Sequence, residues 1–219
     1  MQNPQRRIGL TGGIATGKSS VAALLAAHDL PVLDADRYAR EALAPGSAAA
    51  EAVLARYGEQ VRAAEPQAAT AAALDRAALG RIVFADAAER QWLEQLLHPI
   101  VQERFAAELK RLAGEPTVVL MIPLLFEAGL ENLCSEVWVI DCDESQQLQR
   151  LMGRDQLSEA EARARIAAQW PLARKRALAD LLIDNRSGPE QLEEQLQEAL
   201  SAAASAAPAP GSAAGRPRP

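Results

Sequence analysis

Apolar residues along this chain fall into two kinds of run. Five are short and nearly continuous: Arg7–Thr11, Pro31–Asp34, Thr117–Ile122, Glu136–Asp141 and Leu181–Ile183. Thr117-Val-Val-Leu-Met-Ile and Val137-Trp-Val-Ile show no polar alternation, as strands buried on both faces do. Between these runs apolar residues recur at three- and four-residue spacing, the mark of amphipathic helices. Strands that alternate with helices predict an α/β fold, a five-stranded parallel sheet with helices on both faces.

Residues 47–112 carry no strand pattern. Helices are expected over Ala48–Tyr57, Arg76–Val83, Ala87–Leu97 and Ile100–Leu112, with Pro99 where the last one starts. That is more helix than a simple crossover needs, so it reads as an inserted subdomain. Ala63–Ala73 is low in complexity and reads as loop or weak helix. Residues 144–178 are helical with two breaks, one over Gly153-Arg-Asp-Gln-Leu and one where Ser158-Glu-Ala-Glu opens a new helix with a capping box. Residues 189–204 form an amphipathic last helix. The tail, 206–219, is Pro, Ala, Gly and Ser with little to bury, and is expected to lack structure. The organisation expected is one domain over 1–205: a core at about 6–46 and 115–205, a helical insertion at about 47–114, and a lid at about 145–178.

The chemistry enters at the first strand. Residues 12–19 read Gly-Gly-Ile-Ala-Thr-Gly-Lys-Ser, the full phosphate-loop pattern G-x-x-x-x-G-K-[ST]. A short apolar run precedes it, and Ser20–Ala27 follows with helical spacing, the context this motif requires. Such a loop aims successive backbone N–H groups at phosphate oxygens, and the helix N-terminus adds partial positive charge. Gly12, Gly13 and Gly17 permit the tight path, while Ala15, Thr16 and Ser20 complete the cradle. Lys18 would bridge the outer phosphates and the Ser19 hydroxyl would ligate Mg²⁺. The ligand class is a nucleoside triphosphate.

Composition narrows the picture. The formal net charge is −6 over 219 residues. An acidic chain of this kind argues against a general nucleic-acid binder. Cys134 and Cys142 have no metal-ligand spacing and read as buried thiols. Arg6 and Arg7 are followed by no long apolar core, and no run approaches the ~20 apolar residues of a membrane span. A cytoplasmic protein is expected, monomeric or weakly homo-oligomeric. The guanine-reading Asn-Lys-x-Asp is absent, which counts against a GTP switch. Thr117–Ile122 ends in Pro123 with no acid, unlike the strand that holds Mg²⁺ in long ATPases. A small kinase fits better, with a phosphate-loop core, an acceptor-binding insertion and a lid.

Two further groups of residues fit that reading. The second strand ends Val32-Leu33-Asp34-Ala35-Asp36, at the sheet edge where ligands bind in open α/β folds. One carboxylate could orient or deprotonate an acceptor hydroxyl. The other reading is that Asp34 or Asp36 caps the helix starting near Arg37. Cations cluster later, at Arg150, Arg154, Arg163, Arg165, Arg174, Lys175 and Arg176. They form either a solvated helix face or a lid that brings guanidinium groups onto a transferring phosphoryl group. Arg150 and Arg154 are four apart and share one face.

From about residue 8 to 186 the chain resembles the dephospho-CoA kinase family. The resemblance runs through Ile8-Gly-Leu-Thr-Gly-Gly-Ile, Asp34-Ala-Asp with Ala39-Arg40, Leu74-Asp-Arg and Leu79-Gly-Arg-Ile-Val-Phe. It continues through Leu97-His-Pro, Pro123-Leu-Leu-Phe-Glu, Gln147-Leu-Gln-Arg, Arg154-Asp155, Gln169, Lys175, Ala179-Asp180 and Ile183-Asp-Asn185. It implies a P-loop kinase that moves the γ-phosphoryl of ATP to the ribose 3′-hydroxyl of dephospho-CoA, the last step of coenzyme A biosynthesis. Implied with it are Asp36, Lys18 and Arg150 as catalytic residues, and Thr11, Asp34, Asp36, Arg76 and His98 on the acceptor. Arg154 and Asn185 join the phosphate loop on ATP, Asn185 near the adenine. The chain departs from the family in two places. Ala15 stands where Gly is usual, acceptable if its φ is negative. Ala71-Ala-Ala73 replaces the usual Asp-Gly, which bears on the loop before Arg76.

Some residues invite a larger role than their context supports. His98 sits in what looks like a helix junction and suits a local hydrogen bond or a substrate contact better than catalysis. Trp92, Trp138 and Trp170 suit packing better than base stacking. His28 falls at a helix C-terminus, where a cation is favoured.

Overall fold

Strand β1 (Arg6–Gly12) runs straight into the phosphate loop, and helix α1 (Lys18–Ala27) leaves it. The computed structural model describes residues 5–63 and 73–205, with the backbone alone at 203–205. The expected loop within 63–73 falls mostly outside the described residues, as do the Ala71-Ala72 substitution and the 206–219 tail. Strands β2 (Val32–Asp34), β3 (Thr117–Met121), β4 (Glu136–Asp141) and β5 (Leu181–Asp184) complete one sheet. Its order is β2-β3-β1-β4-β5 and every pairing is parallel. The first strand is therefore central, and its carboxyl end delivers the loop to the middle of the sheet edge, where the chain crosses to either side.

The central strands lack polar alternation because both their faces are covered. Val118 and Leu120 of β3 and Val137 and Val139 of β4 point into one core layer. There they meet α2 (Ala35–Ala42), α5 (Ala87–Arg111) and α8 (Leu172–Leu178). Val119, Met121, Trp138 and Ile140 point the other way, against α1 and α9 (Pro189–Ser205). Phe105 is fully buried and meets Tyr38 edge-on at 5.2 Å. Truncating such a ring to alanine typically costs about 3–5 kcal/mol. Trp138 is likewise fully buried, as a packing residue is.

Between β2 and β3 the described residues are mainly helical. After α2 come α3 (Ala48–Tyr57), α4 (Arg76–Ala85) and α5. They share a third apolar cluster built on Leu43, Val53, Val61, Leu79, Val83 and Leu97. Trp92 packs there, edge-on to Tyr57 at 5.6 Å. α5 corrects the sequence reading, since Pro99 lies inside one continuous helix rather than at the start of a second. Leu97, Val101, Phe105 and Leu109 recur every four residues and bury one stripe across the proline. Pro99 and Gln95 are both exposed, so the carbonyl that the missing N–H abandons can turn to water.

After β4 come α6 (Glu144–Asp155), α7 (Glu159–Ala167) and α8. The capping box at Ser158 is present, with Ser158 and Glu161 each capping the other's backbone. The break expected over Gly153–Leu157 falls late in that segment, for α6 passes through Gly153 and ends at Gln156, which takes the left-handed φ of 53°. Leu151 and Gln147 are buried one turn apart and hold the helix on course. A glycine cost of about 1 kcal/mol is small beside that anchoring.

Candidate active site

The phosphate loop is fixed by its own backbone and by side chains from distant elements. Gly17 holds a φ of 102°, and a side chain there would collide with Asn185. The Asn185 Nδ2 donates to the Thr16 carbonyl at 2.8 Å. The buried Gln147 donates through Nε2 to the Ile14 carbonyl at 2.8 Å, and the Ile14 N–H donates to Gln169 Oε1 at 2.9 Å. Gln147 of α6 and Gln169 of the turn between α7 and α8 thus clamp the two peptide groups that flank Ile14 at the loop's tip. Ala15 follows Ile14 with a φ of +58°. The condition on which alanine would be free of strain there, a negative φ, is not met. The clamped peptides and the turn into Gly17 impose a left-handed residue where the side chain is a methyl group.

Lys18 is half-buried at the base of the loop, with its Nζ donating to the Gly12 and Gly13 carbonyls at 3.2 and 2.6 Å. Its pKa is pushed down to about 8, first by desolvation, then by the nearby Lys175 and, more weakly, Arg154, against the pull of Asp36 and Glu127. Ser19 and Ser20 are exposed on the first turn of α1. Thr16 is fully buried and its hydroxyl donates to the Gly13 carbonyl at 2.9 Å.

The two carboxylates at the end of β2 divide their roles. Asp34 caps α2, accepting from the Asp36 and Arg37 N–H groups at 2.8 and 3.2 Å. That cap turns Asp36 into the cavity, exposed on that side and walled by protein on the others. Desolvation raises its pKa above the ordinary carboxylate value, the Asp34 charge raises it further, and Lys18, Arg40 and Arg154 oppose the rise.

A single cavity of about 940 Å³ joins these groups to the helical segment between β2 and β3. One wall is Ala15, Gly17, Lys18, Ser19, Ser20 and Asp36. The facing wall is largely apolar, made by Val83, Phe84, Leu93, Leu97 and Val101 with Arg90, Glu94 and His98 among them. The third side comes from α6, α7 and the turn after α7: Arg150, Arg154, Arg165 and Gln169. Arg150 donates one nitrogen to the Asn185 carbonyl at 2.9 Å, while its Nη1 is buried with no partner among the described residues. Arg154 and Arg165 both pair with Asp155, at 2.7 and 2.8 Å. Arg165 also covers the half-exposed ring of Phe84 at 5.0 Å, so α7 touches α4 across the cavity mouth.

Other expected site residues stand apart from this cavity. Thr11 is fully buried and donates its hydroxyl to the Pro123 carbonyl at 3.1 Å. Arg76 is exposed and donates to the Arg40 carbonyl at 3.2 Å, one link from Asp36. The later cation cluster also splits. Arg163 pairs with Glu159 on the surface, Arg174 covers Trp170, and Arg176 joins Arg186 on Asp141. Lys175 is fully buried and paired with Glu127 at 2.8 Å. Sequence reasoning gave Glu127, Gln147, Gln169 and Lys175 no role. The signal for Lys175 was its spacing, three residues after Leu172 and three before Leu178, on the inward face of α8.

Comparison with known proteins agrees with this geometry. A family model described as dephospho-CoA kinase matches residues 6–191. A dephospho-CoA kinase of Synechococcus sp. (strain CC9605) is 65% identical over 185 residues, covering 84% of this chain and 87% of that one. The namesake from Parasynechococcus marenigrum (strain WH8102) is 60% identical over 188 residues, with 86% and 91% covered. Among solved structures, TT1252 from Thermus thermophilus superposes with a TM-score of 0.76 at 35% identity, covering 92% of this chain and 98% of that one. A dephospho-CoA kinase from Campylobacter jejuni gives 0.63 at 26% identity, covering 89% and 95%.

Proposed function

The chain belongs to the dephospho-CoA kinase family, and from that membership we propose that it transfers the γ-phosphoryl group of ATP to the ribose 3′-hydroxyl of dephospho-CoA. The observation that carries the reading is the cavity itself. It runs without a break from the phosphate loop, past Asp36, to an apolar wall on α4 and α5. A triphosphate suits the first end. An acceptor with a long, partly apolar arm suits the other, with Arg90 and His98 placed for its polar groups.

In this reading the acceptor oxygen bonds to the γ-phosphorus as the bond to the bridging oxygen breaks, and ADP leaves. Asp36 orients the acceptor hydroxyl and takes its proton. Its raised pKa suits that task, though phosphoryl transfer relies more on positioning and charge than on a strong base. Lys18, on the cavity wall at the base of the loop, offers its ammonium to the phosphates. Arg150 offers its unpartnered Nη1 to a phosphoryl oxygen, with Arg154 beside it. Residues 47–114 serve as the acceptor-binding insertion and 145–178 as the lid.

Mg²⁺ fits this site only together with the nucleotide. No group of three or more His, Cys, Asp or Glu among the described residues could hold a metal alone. Ser19 is exposed on the cavity and would hold the ion with triphosphate oxygens, the usual division of ligands for Mg²⁺. The ion would neutralise phosphate charge. No helix among the described residues is long and apolar enough to cross a membrane, and both cysteines are free thiols, which suits a reducing cytoplasm.

The test is ADP release with ATP and, in turn, dephospho-CoA, AMP and cytidine monophosphate. Release that depends on dephospho-CoA alone is expected. Equal release with a nucleoside monophosphate, or release with no acceptor, would overturn the assignment.

A further inference from the structure

Two peptide groups flank Ile14, and a glutamine holds one edge of each. The Ile14 carbonyl accepts from Gln147 Nε2 at 2.8 Å, and the Ile14 N–H donates to Gln169 Oε1 at 2.9 Å. No peptide among the described residues is cis. A trans peptide is planar, with its C=O and N–H pointing in opposite directions. Holding one edge therefore aims the other.

In the Ile14–Ala15 peptide, the edge opposite Gln147 is the Ala15 N–H. That N–H has no acceptor among the described residues, and Ala15 lines the cavity. In the Gly13–Ile14 peptide, the edge opposite Gln169 is the Gly13 carbonyl, which accepts from Lys18 Nζ at 2.6 Å. Gln147 is buried, and a side chain at Gly13 would collide with its amide, so glycine there lets the amide reach the loop. We propose that Gln147 and Gln169 are positioning residues for the triphosphate. Gln147 aims the Ala15 N–H at a phosphate oxygen, and Gln169 fixes the Gly13 carbonyl that anchors Lys18. Both glutamines belong to the segment that carries Arg150, Arg154 and Arg165. Gln147 lies three residues before Arg150 on α6, so one helix face sets the loop and a guanidinium group together.

The inference rests on the loop and Lys18 serving the triphosphate, as proposed above. Its test uses the full chain with ATP and no acceptor, so an error in the acceptor assignment would leave it intact. Failure of the unaltered protein to bind ATP would overturn both readings, whereas the outcomes below bear on this one alone. The measurements are ATP affinity by calorimetry and the NMR signal of the Ala15 amide proton. Methionine keeps the length of glutamine and removes its hydrogen bonds. Gln147→Met should lower ATP affinity about tenfold, the scale of one hydrogen bond to a charged group. The downfield shift that ATP causes in the Ala15 proton of the unaltered protein should shrink in this variant. Gln169→Met should lower ATP affinity about fivefold with Lys18 present. In a Lys18→Met background it should cost less than about twofold, because the carbonyl it fixes then anchors no ammonium. Gln169 is half-buried, and its variant carries the test if Gln147→Met does not fold. Full ATP affinity in both variants would overturn the proposal. So would an Ala15 proton that ATP leaves in place in the unaltered protein. A Gln169→Met loss of equal size with and without Lys18 would make that glutamine structural only and overturn it as well.

Discussion

The two long walls of the cavity are built on opposite plans. On the phosphate side the backbone is held from many directions. Gln147 and Gln169 clamp the Ile14 backbone on both sides, Asn185 holds the Thr16 carbonyl, and Lys18 occupies the Gly12 and Gly13 carbonyls. On the helical side, Val83, Phe84, Leu93 and Leu97 present apolar surface, part of it open at Phe84. Phosphate recognition needs N–H groups aimed to within tenths of an ångström, and only a fixed backbone supplies that. An apolar arm is recognised by area, which tolerates looser placement. Changes to the first wall should therefore act on rate, and changes to the second on acceptor KM.

The largest effect should come from Lys18→Ala. Lys175 is held in its buried pair with Glu127, so Lys18 is the cation proposed for the outer phosphates, and losing one such stabiliser costs about 10²–10³-fold in turnover. The melting temperature should stay within a few degrees, because Lys18 holds only carbonyls that have other donors. Near-normal turnover would break the contrast between the walls at once.

Next in size is Asp36→Asn, expected to lower kcat about 10²-fold while ATP affinity changes little. Asp34→Asn should be much milder, since asparagine caps a helix as well as aspartate does. It should also leave a signature in the pH profile. As the proposed base Asp36 works ionised, so turnover should fall as pH drops through its raised pKa. Part of that rise comes from the Asp34 charge. Removing it should move the acid limb to lower pH. A limb that stays in place would mean another group titrates there.

Arg150 and Arg154 test whether the third side belongs with the rigid wall. Arg150→Lys keeps the charge but loses the planar fork and the buried Nη1, and should turn over about tenfold more slowly. Arg150→Ala/Arg154→Ala should cost less than the product of the single losses if both serve one phosphoryl group. Full activity in all three variants would return these arginines to a solvated face.

How much of this was legible follows the same division. The strands could be read because burial on both faces leaves an unbroken apolar run, and the phosphate loop because its backbone path restricts residue choice. Asp34 and Asp36 were found together, yet only the structure shows that one is the cap and the other faces the cavity. The clamp at Ile14 was not legible, because Gln147 and Gln169 act through tertiary contacts more than 130 residues away. Lys175 was hidden among surface cations, since charge runs are read as solvated unless the inward spacing on α8 is weighed. Pro99 was misread because a local rule for helix starts met a burial stripe that runs through it. The apolar wall was visible only as helical periodicity. Nothing in that pattern says that Phe84 stays half-exposed opposite Arg165.

Phe84→Ala probes that wall. It removes an exposed ring and one side of the α4–α7 contact, so stability should hardly change. Acceptor KM should rise about threefold to tenfold, the scale of losing part of one apolar contact, with ATP KM and kcat within about twofold. A fall in kcat without a change in acceptor KM would mean that Phe84 works by closing α7, and the contrast would have to be redrawn.

The smallest effect is the one that tests how firmly the first wall is held. Ala15 sits at a φ of +58° between peptides clamped by two glutamines and the glycine that starts α1. An alanine in that region costs about 1–2 kcal/mol. Glycine would relieve the strain but gives back about 0.4–1 kcal/mol through the freer unfolded chain. The balance favours Ala15→Gly by up to about 1.6 kcal/mol, which for a chain of this length raises the melting temperature by up to about 3–6 °C. Activity should be unchanged, because the clamps fix the N–H directions whichever residue stands there. The gain should also shrink when Gln147→Ala removes one clamp, since a looser loop lets Ala15 relax on its own. A lower melting temperature in Ala15→Gly would show that the unfolded-state term outweighs the strain and that the loop already yields to its alanine. The phosphate wall would then be no more rigid than the apolar one facing it.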